Sequence, residues 1–129
     1  MKYLLILLLL TQSVLSQEKI YNIQGVGKVS IENKNFYLPK KFVILKDEDV
    51  IYYENGKIHR DDGPAIIGPD KEIWYKNGMI HRNHAPAVIY SDGSKYWHQN
   101  GKLHKDIGPA VIIPNGKKEY WKNGKQLFK

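Results

Sequence analysis

Four Asn-Gly pairs, Asn55-Gly56, Asn77-Gly78, Asn100-Gly101 and Asn123-Gly124, recur at steps of 22, 23 and 23 residues. Their neighbours recur with them. An aromatic or histidine pair precedes each turn: Tyr52-Tyr53, Trp74-Tyr75, Trp97-His98 and Tyr120-Trp121. A histidine and a base follow three of them: His59-Arg60, His81-Arg82 and His104-Lys105. Pro-Ala comes next at Pro64-Ala65, Pro86-Ala87 and Pro109-Ala110, then a short apolar run and a second turn at Pro69-Asp70, Asp92-Gly93 or Asn115-Gly116. A repeat this regular confines the chain to an array in which each unit packs on its neighbours.

Each unit reads as strand, turn, strand, turn. Asn-Gly accepts positive φ at both central positions, as a type I′ hairpin turn requires. The apolar segments are short and show no helical period. Proline cannot donate to a ladder, so each Pro-Ala sits at a strand start or an edge. A two-residue loop fixes the register. Tyr53 faces Ile58, Tyr75 faces Ile80, His98 faces Leu103 and Trp121 faces Gln126. One residue further from each turn, Tyr52 faces His59, Trp74 faces His81, Trp97 faces His104 and Tyr120 faces Leu127. The chain is therefore expected to be all-β, an elongated antiparallel meander of stacked β-hairpin repeats over residues 51–129.

Residues 17–50 are expected to form an N-terminal β cap. Lys19–Ile23, Lys28–Ile31 and Asn35–Leu38 alternate in polarity, and residues 39–53 resemble a degenerate unit with the acidic turn Lys46-Asp47-Glu48-Asp49. Residues 1–16 read as a signal peptide. Lys2 supplies the charge, Tyr3–Leu10 the apolar run and Val14-Leu15-Ser16 the cleavage site, with the cut expected between Ser16 and Gln17. The run falls short of the roughly 20 apolar residues that a spanning helix needs. The protein is thus expected to be secreted or extracytoplasmic. The chain has no cysteine, so disulfides, thiol catalysis and thiolate metal sites are excluded.

The segment from Trp97-His98-Gln99-Asn100-Gly101-Lys102-Leu103-His104 through Gly108, Asn115-Gly116 and Tyr120 resembles the MORN repeat. The likeness covers roughly residues 51–129, as three near-complete units and a truncated last one. Two features depart from the usual pattern. Arg or Lys follows the histidine where the family usually has Gly, and the chain lacks the Gly between Tyr and Trp in the second strand and has Gly-Pro-Ala or Ala-Pro-Ala in its loop. In this the chain is closer to the MORN variants of bacterial and viral proteins. The resemblance implies an extended sheet of stacked hairpins that binds and scaffolds, sometimes at membranes, and does not catalyse.

Two candidate surfaces follow. The first is the aromatic–histidine face of Tyr52, His59, Trp74, His81, Trp97, His104 and Tyr120. Repeat packing alone accounts for these aromatics, but a row of them rimmed by Lys and Arg also suits a ligand. The second is a basic patch at Lys117, Lys118, Lys122 and Lys125. The formal charge is +7, and residues 117–129 hold five lysines and one glutamate. Such a patch favours anionic lipid or glycan, while nucleic acid is not expected for an exported chain.

A metal site is not expected. Equivalent histidines lie two strands apart, about 9.5 Å, too far to share one ion. Gly25-Val26-Gly27-Lys28 lacks the spacing and the following helix of a phosphate loop. No nucleophile–base–acid set stands out, so an enzyme ranks last and no cofactor is expected. The partner is expected to be another protein, contacted by a non-catalytic scaffold. Attachment to an anionic surface is the alternative, and an open sheet edge at Phe128-Lys129 leaves self-association open.

Overall fold

The computed structural model describes residues 20–23, 27–30 and 40–128. The expected signal peptide, the expected Asn35–Leu38 strand and Lys129 lie outside the described residues. All the secondary structure described is β, and every pairing is antiparallel.

Strands β1 (Ile20–Ile23) and β2 (Gly27–Ser30) pair with each other, Tyr21 opposite Val29. β3 (Lys41–Lys46) and β4 (Asp49–Glu54) form the longest hairpin, turning at Asp47-Glu48 within the acidic segment. β5 (Lys57–Ile58) returns from β4 across Asn55-Gly56. The second unit supplies β6 (Ile66–Ile67), β7 (Lys71–Ile73), β8 (Tyr75–Lys76) and β9 (Met79–Ile80). The third supplies β10 (Val88–Tyr90), β11 (Lys95–Tyr96), β12 (His98–Gln99) and β13 (Lys102–Leu103). The last supplies β14 (Val111–Ile112), β15 (Lys118–Glu119), β16 (Trp121–Lys122) and β17 (Lys125–Gln126). The main sheet runs β15-β14-β11-β10-β7-β6-β4-β3, with β5 attached to β4.

The turns take the expected form. At all four Asn-Gly pairs φ is positive at both residues, 49° to 51° at Asn and 72° to 81° at Gly. The hairpin registers follow: Tyr53↔Ile58, Tyr75↔Ile80, His98↔Leu103 and Trp121↔Gln126. The second turns are built differently. Gly93 and Gly116 carry the positive φ, and Asp92 and Asn115 accept the amides of Ser94 and Lys117 through their side chains at 2.7 and 2.9 Å. This is the local bond that makes Asx residues good turn formers.

The single meander expected from the repeat is divided. β8–β9, β12–β13 and β16–β17 are two-stranded ladders separate from the main sheet. The division falls at the first aromatic residue of each unit. The amide of Trp74 donates to the carbonyl of Ala87 across the main sheet, while the carbonyl of Trp74 accepts from His81 in its own hairpin. Trp97 does the same with Ala110 and His104. One residue thus ends one pairing and begins another.

The core is narrow. Ala65, Ala87 and Ala110 are wholly buried, and Val88, Val111, Phe42, Val43 and Ile44 join them. Each alanine donates to one neighbouring strand and accepts from another. Its methyl is fully enclosed, in the segment that the proline before it opens. Overpacking such a site costs about 1–3 kcal/mol.

Candidate binding face

The structure brings each expected aromatic–histidine pair together. The amides of His59, His81 and His104 each donate to the carbonyl of Tyr52, Trp74 or Trp97 at 3.0 Å, and Leu127 donates to Tyr120 at 2.8 Å. What the histidine rings do was not foreseen. His59 Nδ1 accepts the amide of Asn77 at 2.9 Å, His81 Nδ1 that of Asn100 at 3.1 Å, and His104 Nδ1 that of Asn123 at 3.1 Å. Each ring is therefore bonded to the Asn-Gly turn of the next unit. Backbone bonds run beside it, from Gly78 to Ile58, Gly101 to Ile80 and Gly124 to Leu103, each 2.9 Å.

An imidazole that accepts at Nδ1 carries its proton on Nε2. Nε2 of His59 and His81 lies 3.0 Å from Asp61 Oδ1 and Asn83 Oδ1, and Nε2 of His104 lies 3.3 Å from Asp106 Oδ1. Both nitrogens are committed. Sequence reading had the residues and their spacing but not this bond, because it joins a side chain to a backbone amide 18 or 19 positions away.

The first unit also gathers three groups that the sequence did not single out together. Ligand atoms of Glu54, His59 and Asp61 lie within 4.8 Å of one another. A metal on His59 Nε2 would need the lone pair there and would move the proton to Nδ1, facing the Asn77 amide. Metal and fastening bond exclude each other. Glu54 is moreover paired with Lys41 at 3.1 Å, which raises the Lys41 pKa through hydrogen bonding and charge. The one available signal was Glu54 itself, since its equivalents are Lys76, Gln99 and Lys122.

The base after each histidine covers the aromatic ring. Arg60 lies 4.1 Å over Tyr52, Arg82 3.7 Å over Trp74 and Lys105 3.8 Å over Trp97. Such contacts contribute about 0.5–1 kcal/mol at exposed sites. Arg60 and Arg82 are held there by a second bond, Nη1 to the carbonyl of Pro64 at 3.3 Å and of Pro86 at 3.1 Å. At the last unit Phe128 meets Tyr120 edge-on at 5.7 Å instead. The base after each of these histidines thus has a physical task. The aromatic column is half-buried beneath cations, and what it presents to solvent is charge.

No family model matches this chain, and no curated protein or solved structure matches it either.

The basic patch is split between two places. Lys118 belongs to the main sheet at β15 and Lys117 immediately precedes it, whereas Lys122 and Lys125 lie on the last hairpin. All four are exposed. Lys117 pairs with Glu119 at 2.6 Å and Lys122 with Asp106 at 3.5 Å. The Lys117 bond lowers the Glu119 pKa, assisted by the Trp121 indole N–H. Lys118 and Lys125 have no ion pair among the described residues.

Charge is distributed unevenly. The four hairpins, residues 53–58, 75–80, 98–103 and 121–126, carry five lysines and one glutamate. The rest of residues 40–128 carries ten bases and ten acids. The net positive charge of the array therefore resides on the hairpin column. Lys57, Lys76, Lys102, Lys122 and Lys125 are all exposed there, and the stems of Lys57 and Lys102 rest on Gly78 and Gly124 of the following turn.

Two concavities open nearby. A cleft of about 690 Å³ beside the first unit is lined by Phe42, Val43, Tyr52, Tyr53, Glu54 and Arg60, among others. A smaller groove of about 240 Å³ lies between the second and third units, lined by Arg82, His84, Trp97, Gln99, Lys105 and Ile107, among others. Ile107 is 88% exposed. It stands where the other loops have Asp62 and His84, so the loop tip varies while the frame around it repeats.

Proposed function

We propose that this protein is a secreted, non-catalytic scaffold of stacked MORN-like hairpins that binds another protein. The observation that carries the reading is the division of roles within each unit. The aromatic, histidine, Asn-Gly and Pro-Ala positions recur and are engaged in holding the array together, while the hairpin and loop-tip positions change from unit to unit and point to solvent. A repeat frame with variable exposed positions is how solenoid proteins make binding surfaces. The binding side chains are then the cations beside Trp74 and Trp97 and the Ile107 tip, with the aromatics as their platform. A scaffold also accounts for the two reactive-looking groups: both nitrogens of His59 are bonded, and Ser94 is buried in a turn.

Capture of the partner by the exported chain tests this reading. Replacing Trp74 and Trp97 by alanine removes the platform under Arg82 and Lys105, and capture should be lost while the circular dichroism of the sheet persists. Unchanged capture by a folded double variant contradicts the reading.

A second reading, attachment to an anionic lipid or glycan surface, is favoured by the exposed and unpaired Lys118 and Lys125. Replacing Lys117, Lys118, Lys122 and Lys125 by glutamine should then release the protein from anionic vesicles. Binding should also fall between low and physiological salt, where exposed charges are screened within about 8 Å.

A further inference from the structure

Consecutive units of the array are two strands apart, a period of about 9.4–9.8 Å. Cations recur at this period at two positions, Arg82 and Lys105 after the histidine and Lys102 and Lys125 after Asn-Gly, while Lys76 and Lys122, before Asn-Gly, are two periods apart. Lys76 and Arg82 belong to the second unit, Lys102 and Lys105 to the third, and Lys122 and Lys125 to the last. Side chains alternate along a strand, and directly paired residues share a face. Gln99–Lys102 and Lys122–Lys125 therefore stand on the same side as Trp97–His104 and Tyr120–Leu127. Arg82 and Lys105 lie over the rings of that same side. Residues 75–83, 98–106 and 121–128, which hold these six cations, carry one acid, Asp106, already between His104 and Lys122. In the first unit, by contrast, Arg60 is paired with Asp62 at 2.8 Å and Lys41 with Glu54.

A ligand that matches this row needs one anionic group per period. A polyproline II helix has three residues per turn and rises about 3.1 Å per residue, so an acid at every third position repeats at about 9.3 Å on one side. An extended β peptide repeats on one side at about 6.6 Å, and an α-helix turns every 5.4 Å or so; neither stays in step over three units. The groove between units two and three adds two apolar side chains, Trp97 and the exposed Ile107, within a lining that is otherwise polar and includes Asp106. Aromatic-lined grooves of this kind accept the rings of a polyproline II segment.

We propose that the cation row of units two to four binds an acidic polyproline II segment of a partner protein, one carboxylate per turn, with the groove at Trp97 and Ile107 receiving a proline between them. This rests on the protein-partner reading above and names the partner's chemistry.

The test uses the full exported chain and two synthetic peptides of identical composition. One is Glu-Pro-Pro repeated four times, and the other has its four glutamates in a single block. Binding is followed by tryptophan fluorescence and calorimetry. The periodic peptide should bind at least about tenfold tighter than the block peptide, because only it aligns several exposed ion pairs at once. Lys76→Glu with Lys102→Glu, both exposed positions, should abolish that preference at unchanged melting temperature. Equal binding of the two peptides overturns the proposal by showing charge without register, as does tighter binding of polygalacturonate, an acidic glycan, than of the periodic peptide. If neither peptide binds while the Trp74 and Trp97 variant still loses its partner, this inference fails and the scaffold reading stands. If that variant keeps its partner, the scaffold reading itself fails.

Discussion

His98 occupies the hairpin position held by Tyr53, Tyr75 and Trp121 in the other units. Its Nδ1 is buried and has no hydrogen-bond partner among the described residues. Burial lowers the His98 pKa, against a smaller opposing pull from the Tyr96 carbonyl. A histidine with a lowered folded-state pKa takes up its proton more readily in the unfolded chain. The stability associated with neutral His98 is therefore full above the ordinary histidine range, near 6.5, and is lost as pH falls through it. Replacing His98 by tyrosine, the residue of the first two units, removes both the orphaned nitrogen and the titration. The variant should be more stable by about 1 kcal/mol at pH 7.5, and thermal unfolding at pH 5 should show a wider gap over the parent chain. A gap that narrows on acidification would contradict this assignment.

Hairpins are the elements of this fold, and a histidine ring joins each to the next. The three joints differ in burial. His59 is 8% exposed, whereas the bonds of His81 and His104 lie at the surface. Replacing His59 by phenylalanine removes the acceptor of the Asn77 amide beneath a buried ring and should cost about 1–3 kcal/mol. The same change at His81 leaves an amide that water can reach and should cost less than about 1 kcal/mol. Urea midpoints at constant slope check the order. Much of the element level was legible beforehand. Asn-Gly prescribes a two-residue turn, and that alone fixed Tyr53 opposite Ile58 and Trp121 opposite Gln126. The switch of partners at Trp74 and Trp97 was not legible, because a turn fixes pairing inside its own hairpin and says nothing about the strand beyond the aromatic. The role of Arg60, Arg82 and Lys105 was missed for a related reason. Their rings lie eight residues back in sequence, and only the closed hairpin brings the two together. A clue was present at the last unit, where His-Arg gives way to Leu127-Phe128 and the ring of Tyr120 is met by another ring.

Across the whole array, each unit touches only its neighbours, so stability should be nearly a sum of unit and joint contributions. Phe128→Ala provides a test at one end. Hydrogen exchange should quicken in residues 121–126 and leave the amides of Trp74, Ala87 and Val88 unchanged. Loss of protection throughout would mean a single cooperative core. Charge has a comparable polarity. The acids Glu54, Asp61 and Asp62 crowd the first unit, and the unpaired lysines accumulate toward the last. The sequence displays the lysine excess at the C-terminus, but its division between β15 and the last hairpin depends on the partner switch at Tyr120, and so required the fold.

The proposed binding role of the cations depends most on the histidines being fasteners between units. Long-range proton–nitrogen NMR of the imidazole rings measures this directly at neutral pH. His59, His81 and His104 should each be neutral with the proton on Nε2, and Nδ1 should show coupling across a hydrogen bond to the amide of Asn77, Asn100 or Asn123. Rings protonated on Nδ1, or rings with no coupling to those amides, would contradict the account and return the three histidines to the surface as free ligands.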